Sequence, residues 1–213
     1  MHKKTIFLSF LLGLFVILLG CGTPTADQIK SDLSKKTTKV DSYYAHMEMQ
    51  IKSRDSVEEY EAEQWYLAPH YYRVDVGLPH GFAQRFISDG SITHIYEEEL
   101  EEWFEVDHSS DPYPTPPFLL SFYWSNFIDA ASLELIGEEE FSERNNYKVK
   151  VIPRDKTVTR NYEIFWLDTK TLMPVRIETY DEEGKLTAEL FFREIAINSE
   201  IEKDVFAIPD IIP

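Results

Sequence analysis

The chain has 213 residues, with 21 Lys and Arg against 38 Asp and Glu, a formal net charge of −17 and a single cysteine. This length is sufficient for one domain with a substantial buried core. The negative charge argues against nucleic-acid binding, because phosphates require a basic surface. One cysteine excludes an intramolecular disulfide and a metal site built from several thiolates.

The first twenty residues have the composition of a secretion signal. Lys3 and Lys4 precede an almost wholly apolar run, Ile6–Leu19, which is followed by Gly20 and Cys21. As a helix this run spans roughly 21 Å, less than the ~30 Å hydrocarbon core of a bilayer. The pattern therefore favours the core of a signal peptide over a membrane-spanning helix.

The residues around the only cysteine indicate how this segment is processed. Gly20-Cys21 resembles the lipobox of bacterial lipoproteins, although Leu19 stands where that motif usually has a smaller residue. The resemblance implies cleavage before Cys21 and diacylglycerol on its sulfur, with palmitate among the acyl groups. The alternative is an uncleaved N-terminal anchor. We predict a signal peptide over 1–20, a lipidated cysteine and linker over 21–25, and one folded domain over 26–213.

A lipid anchor would decide where the protein resides. Loss of residues 1–20 removes Lys3 and Lys4 and leaves 19 basic against 38 acidic side chains. Anionic headgroups repel such a domain, so it needs the anchor to stay close to them. We expect an extracytoplasmic protein that is lipid-anchored to the cell membrane.

A short helix and then many strands are predicted along the mature chain. Thr25 and Gln28 have the spacing of a capping box, which predicts a helix from about Ala26 to Lys36. From Ala45 onward the period becomes two, and this alternation is typical of half-buried strands. The predicted strands, in chain order, cover 45–52, 59–67, 71–78, 83–88, 93–97, 103–106, 133–141, 147–152, 162–167, 175–180 and 186–197. The pairs Asp89-Gly90, Asn145-Asn146 and Glu183-Gly184 are predicted hairpin turns, so we expect an antiparallel meander that curls into a barrel or sandwich.

One segment interrupts the strand pattern. A proline-rich stretch over 111–117 leads into a run of large apolar residues, and we predict a helix from about Pro116 to Ala131. Because it is apolar on nearly every side, this helix needs burial on every side. It is interpreted as a plug or lid on the concave face of the sheet, or else as an ordinary core helix.

Motifs for catalysis or cofactor binding do not emerge from the sequence. There is no glycine-rich phosphate loop, no nucleophile elbow and no HExxH, and the histidines are scattered. The acidic runs 97–102 and 138–140 are interpreted as solvated hairpin edges, with weak cation binding or acid catalysis as alternatives. We predict a protein that is not an enzyme and that has no cofactor and no metal site.

The aromatic content, 14% of the chain, is the unusual feature. Neighbours such as Trp65 and Tyr66 must point to opposite faces of a strand, so both faces carry large rings. These rings are expected to line a hydrophobic ligand site, to form an exposed patch for a protein partner, or to fill the core. The residues predicted to line a ligand cavity are Trp65, Tyr72, Phe86, Phe122, Trp124, Phe127 and Trp166.

The C-terminal third carries a family resemblance. Its residues are Tyr162–Asp168, Thr171–Arg176, Glu183-Gly184, Phe191-Phe192, Asn198 and Phe206-x-x-Pro209. This run resembles the closing strands of the LolA-like superfamily of lipoprotein carriers, which includes related lipoproteins and periplasmic sensors. The resemblance implies a mainly β fold, in which a curved antiparallel sheet forms an incomplete β-barrel closed by an N-terminal helix and an inserted helix. In carrier members the enclosed cavity binds acyl chains.

Two functions remain open at this stage. The first is a membrane-tethered lipoprotein that holds a lipid or acyl moiety in a half-barrel cavity, since Cys21 would prevent it from leaving the membrane as a soluble carrier does. The second is a protein–protein adaptor in the cell envelope or in spore germination, such as the partner of a cell-wall amidase, as the resemblance to one lipoprotein subgroup implies.

Overall fold

The computed structural model describes residues 23–78, 80–81, 83–108 and 118–208. The signal peptide and Cys21 lie outside the described residues, so cleavage and lipidation stay predictions. The described ranges contain two α-helices, α1 (Ala26–Thr37) and α2 (Leu120–Ile128), and a 3₁₀ helix at Lys203–Phe206. They also contain eleven strands: β1 (Ser42–Lys52), β2 (Val57–Leu67), β3 (Tyr71–Gly77), β4 (Ala83–Ser88), β5 (Ile92–Glu97), β6 (Glu102–Asp107), β7 (Ser132–Phe141), β8 (Arg144–Ile152), β9 (Tyr162–Asp168), β10 (Pro174–Tyr180) and β11 (Leu186–Ile197).

All the strands form one antiparallel sheet with the order β6-β5-β4-β3-β2-β1-β11-β10-β9-β8-β7. Two meanders, β1–β6 and β7–β11, meet in the middle, where the first strand pairs with the last. Register shifts interrupt the pairing of β1 with β11 and of β7 with β8, and such bulges bend a sheet. The predicted mainly β fold, an open curved antiparallel sheet with two helices, is confirmed.

The N-terminal helix forms as its sequence predicts. The Thr25 hydroxyl accepts from the Gln28 N–H, and the Gln28 side chain accepts from the Thr25 N–H, which completes the capping box. Ile29 and Leu33, one turn apart, are buried in the main core beside the sheet. The helix therefore covers part of one sheet face.

The inserted helix is shorter than predicted. It begins at Leu120 instead of Pro116 and ends at Ile128 instead of Ala131. Leu119 has an extended backbone and no side-chain cap, so Phe118 and Leu119 stay outside the helix. At the other end Ala131 already donates its N–H to the Ile152 carbonyl at 2.8 Å, which draws the chain into the sheet.

One of the three predicted hairpin turns was misplaced. Asn145 and Asn146 lie within β8, and the turn consists of Ser142 and Glu143, both with positive φ. Asn146 is fully buried, and its amide donates to three backbone carbonyls around this turn. The other two turns are confirmed, with Gly90 and Gly184 at positive φ.

Strand pairing divides the side chains into two faces. The inner face, which carries α1 and α2, includes Tyr43, Ala45 and Met47 of β1, all of them buried in the main core. The outer face carries their neighbours Tyr44, His46 and Glu48, and it is rich in ion pairs. The inner face is consequently the apolar one.

Candidate functional site

The centre of the inner face holds the first turn of α2. This helix has no side-chain cap of its own, so its first N–H groups need acceptors from elsewhere. The side-chain oxygen of Gln64, on β2, accepts from the Leu120 N–H at 2.6 Å, and the Tyr43 hydroxyl accepts from the Ser121 N–H at 3.5 Å. Burial raises the pKa of Tyr43, so its phenol stays neutral. The sheet itself therefore caps the helix.

Aromatic rings fix the rest of α2 on the sheet. Tyr43 stacks on Tyr66 with ring centroids 5.1 Å apart and meets Trp124 edge-on at 5.6 Å. Farther along, Phe127 packs on Phe165 of β9 at 5.4 Å. Edge-to-face pairs of this kind contribute about 0.5–1.5 kcal/mol each beyond their buried area. The helix is therefore a fixed part of the core along this side.

Two buried N–H donors at this position have no hydrogen-bond acceptor in the described part of the chain. They are Nε2 of Gln64, a residue that is 0% exposed, and Nε1 of Trp124, which is 6% exposed. Leaving a buried donor unpaired costs roughly 1–3 kcal/mol. An acceptor for these two donors would have to enter this buried part of the inner face.

A buried ion pair lies on the same face, near the other end of the sheet. Glu163, on β9, is 2% exposed, and its oxygens lie 3.1 and 3.2 Å from the Arg160 guanidinium. The ring of Phe122 lies above the same guanidinium at 5.7 Å. Burial raises the pKa of Glu163 and outweighs the opposite effect of Arg160. The pair attaches the chain that leads into β9 to the underside of α2.

The half of the inner face built from β3–β6 carries a continuous apolar row. Strand pairing sets Val74 opposite Phe86, Phe86 opposite Ile95, and Ile95 opposite Phe104. We call these four residues the apolar row. Val74 is fully buried, Phe86 and Ile95 are half-buried, and Phe104 is 42% exposed. The row thus leads from the core to an open apolar edge on β6.

Phe118 brings the start of α2 to this row. Its ring centroid lies 6.4 Å from that of Phe86, and both side chains pack against the main core. The start of α2 therefore adjoins the half-buried part of the row. The apolar row, Phe118 and the two unpaired donors together define the candidate site.

The seven residues predicted to line a cavity divide between the two faces. Tyr72, Phe86, Phe122, Trp124 and Phe127 belong to the inner-face core. Trp65 lies on the outer face, where it packs on Tyr44, and Trp166 lies there in a second cluster beneath Arg176. Period-two alternation shows which residues share one face of a strand. When both faces carry aromatic residues, alternation does not show which face packs on the core. The role of the five inner residues in ligand binding stays a prediction.

Gln64 and Phe104 were not foreseen as site residues. Gln64 lies on the same face of β2 as Tyr60, Ala62 and Tyr66. A polar residue at this position of an apolar face was the sequence signal that could have identified it. Phe104 follows Trp103 in a short strand, and only the pairing of β6 with β5 shows which of the two faces inward.

Within the described ranges, no cluster of three His, Cys, Asp or Glu side chains is arranged to hold a metal ion. The same ranges hold no helix with the length and apolarity needed to cross a bilayer.

An open, curved antiparallel sheet with helices on its apolar face is a fold shared with several solved structures. An uncharacterized conserved protein from Thermus thermophilus aligns with a TM-score of 0.61 at 16% identity, over 87% of this chain and 96% of the other. MucB in the MucA/MucB complex structure of Pseudomonas aeruginosa aligns with a TM-score of 0.51 at 20% identity, over 84% of this chain and 60% of that one. A LolA superfamily protein from Nitrosomonas europaea has a TM-score of 0.41 at 12% identity, over 87% and 99% of the two chains.

A family model gives the finer assignment. The model described as sporulation protein YdcC-like matches residues 1–206, and the chain belongs to this family. The sporulation protein YdcC of Bacillus subtilis (strain 168) is 20% identical over 206 residues, which cover 94% of this chain. The chain spans only 59% of that relative's length.

Proposed function

We propose that the protein is a non-enzymatic, extracytoplasmic lipoprotein that is anchored at Cys21 and binds an acyl chain on the β3–β6 half of its inner face. The observation that carries the proposal is the apolar row, because it ends in Phe104 with 42% of its surface exposed. An acyl chain lying along the row would cover the exposed side chain of Phe104 and the half-buried side chains of Phe86 and Ile95. Each methylene of an acyl chain buried there would contribute about 0.8 kcal/mol.

The unpaired donors of Gln64 and Trp124 suit the polar end of such a ligand. Both N–H groups are buried and have no acceptor in the described chain. An ester carbonyl or a fatty-acid carboxylate would supply the missing acceptor, and it would relieve the cost of the unpaired donors. The ligand that fits best is therefore an acyl chain with an oxygen-bearing head.

A second candidate function is a protein–protein adaptor in the envelope of a sporulating cell. Two observations favour it: the chain belongs to a sporulation protein family, and MucB, which shares the fold, is seen in a structure together with MucA. Neither function excludes the other, since a lipid-binding face and a docking face can lie on opposite sides of one sheet.

The test uses a fatty acid that carries a diazirine and an alkyne, fed to cells that produce the full chain. After irradiation, the labelled peptides of the purified protein are mapped by mass spectrometry. Label on the peptide that contains Cys21 reports the anchor, and label on peptides of β4–β6 reports the bound ligand. We expect Phe104→Asp to abolish the β4–β6 label and to leave the Cys21 label unchanged.

Val158→Asp is the matched control. Val158 is the most exposed of the large apolar residues in the described chain, at 82%, and it lies away from the apolar row. This variant should keep the β4–β6 label in full. Equal labelling of the two variants, or wild-type label at Cys21 alone, would falsify acyl binding on the inner face.

A further inference from the structure

A groove opens on the outer face, between the sheet and the C-terminal 3₁₀ helix. We call it the C-terminal groove; its volume is about 510 Å³. Tyr44 and Trp65, cross-strand neighbours on β1 and β2, form its floor with ring centroids 5.5 Å apart. Ile201 and Val205 add apolar surface on the opposite wall. The floor and wall thus offer rings and aliphatic groups to whatever enters.

The position of the opposite wall is set by contacts to β3. Arg73 donates to the Val205 carbonyl at 3.2 Å, and the buried Phe206 packs on Tyr71 at 5.9 Å. The charge of Arg73 is already balanced, because Asp75 accepts two hydrogen bonds from it, at 2.6 and 3.0 Å. The shape of the groove is therefore fixed by contacts within the fold. Arg73 adds no unpaired positive charge to it.

Three carboxylates form the rim of the groove. Glu200, Glu202 and Asp204 are exposed, and their side chains make no hydrogen bond or ion pair within the part of the chain described here. Lys203, the one basic residue among these rim positions, is exposed as well. Other acids of the same face are paired, as Glu48 is with Arg193 and Glu189 with Lys52. The groove therefore combines unpaired acids with an aromatic floor.

We propose that the C-terminal groove docks an Arg- or Lys-bearing segment of a partner protein. The aliphatic stem of such a side chain can lie on Ile201 and Val205 while its charged head reaches the rim. A guanidinium also stacks on aromatic rings, and Trp65 already receives one, since the Arg73 guanidinium lies 5.2 Å from its centroid. Rim acids at alternate positions, 200, 202 and 204, suit several successive cations of an extended peptide better than one small amine.

This docking site is independent of the acyl site, which lies on the inner face. The test measures fluorescence anisotropy of a fluorescein-labelled peptide of alternating Arg and Ser, titrated with the full chain in non-ionic detergent at about 0.15 M salt, where the Debye length is about 8 Å. The triple variant Glu200→Gln, Glu202→Gln, Asp204→Asn is expected to raise the Kd about tenfold or more. A peptide with citrulline in place of Arg, which keeps the shape and lacks the charge, should not bind.

The matched control removes the same charge elsewhere. Glu134, Glu138 and Glu140 are exposed on β7, at the far edge of the sheet, and their triple change to Gln should alter the Kd by less than about twofold because distant charges are screened. Equal loss in both triple variants would show attraction by net charge alone and would overturn the proposal. Displacement of the peptide by free phosphocholine would overturn it too, since the groove would then be a headgroup site. Thermal melting of each variant verifies the fold, and all the substitutions are at exposed positions.

Discussion

At the scale of single residues, Asp75 shows how the outer face is held together. Its carboxylate accepts from Arg73 and also from Arg85, at 2.9 and 3.0 Å. Burial acts to raise the pKa of Asp75, but the two guanidinium groups outweigh it and the pKa is lowered. The unfolded chain therefore binds this proton more readily than the folded one, so the contribution of Asp75 to stability is present at neutral pH. It is lost as the pH falls from about 4 through the lower folded pKa.

Asp75→Asn should therefore lower the free energy of unfolding at pH 7 by about 1–3 kcal/mol. The difference from wild type should shrink as the pH falls below about 4, because the unfolded wild-type chain takes up the proton first and the folded chain loses the advantage of its charged carboxylate. Urea denaturation at a series of pH values measures both effects. Asp55→Asn, a change at an exposed residue in the β1–β2 turn, is the control and should be neutral throughout. A difference for Asp75→Asn that does not depend on pH would contradict the assignment.

At the scale of elements, Asn198 joins the beginning of the sheet to its end. It follows β11 with φ at 53°, and its side-chain oxygen accepts from the Asp41 N–H at 2.8 Å. Its amide donates to the Lys39 carbonyl at 3.0 Å, just after α1. Asparagine tolerates the left-handed conformation better than alanine does. Asn198 therefore meets two requirements: it adopts a positive φ, and its side chain makes the hydrogen bonds that join the two ends of the sheet.

Two substitutions separate these requirements. Asn198→Gly leaves the backbone unstrained at positive φ but removes the side-chain hydrogen bonds, so it should lower the free energy of unfolding by about 1–2 kcal/mol. Asn198→Ala loses the bonds and also strains the backbone, and it should cost about 1 kcal/mol more. Denaturant unfolding measures both. The interpretation is contradicted if the glycine variant is no more stable than the alanine variant.

The elements also show how far sequence patterns reach. Period-two alternation located the strands well, because a half-buried strand must alternate, and the capping box placed α1. The bounds of α2 were missed because its caps, Tyr43 and Gln64, come from distant strands. The β7–β8 turn was missed because Ser142 and Glu143 carry positive φ without a glycine or asparagine to signal it. The sheet face on which Trp65 and Trp166 lie depends on how the strands pair, and a local sequence pattern does not encode that pairing.

At the scale of the whole molecule, the net charge and the predicted lipid anchor would have opposite effects on membrane binding. A mature domain with 19 basic and 38 acidic side chains is repelled by anionic headgroups, so only the acyl groups predicted at Cys21 would hold it at the membrane. Proteins bound by surface charge are released by high salt, whereas acyl anchors resist it. We therefore expect the wild-type chain to stay in the membrane pellet in about 1 M NaCl and to leave it with non-ionic detergent.

The anchor itself is tested by Cys21→Ser in cells fed alkynyl palmitate. This variant should lose the lipid label, and it should migrate more slowly in gels because residues 1–20 are retained when the lipobox is broken. Leu19→Ala is the control: it brings the sequence closer to the lipobox pattern, so it should keep the label and the mature size. Salt release of the wild-type chain, or label that persists in Cys21→Ser, would mean that something other than this cysteine attaches the protein. A domain this acidic would then need a basic partner at the membrane, and the C-terminal groove is where such a partner should be sought first.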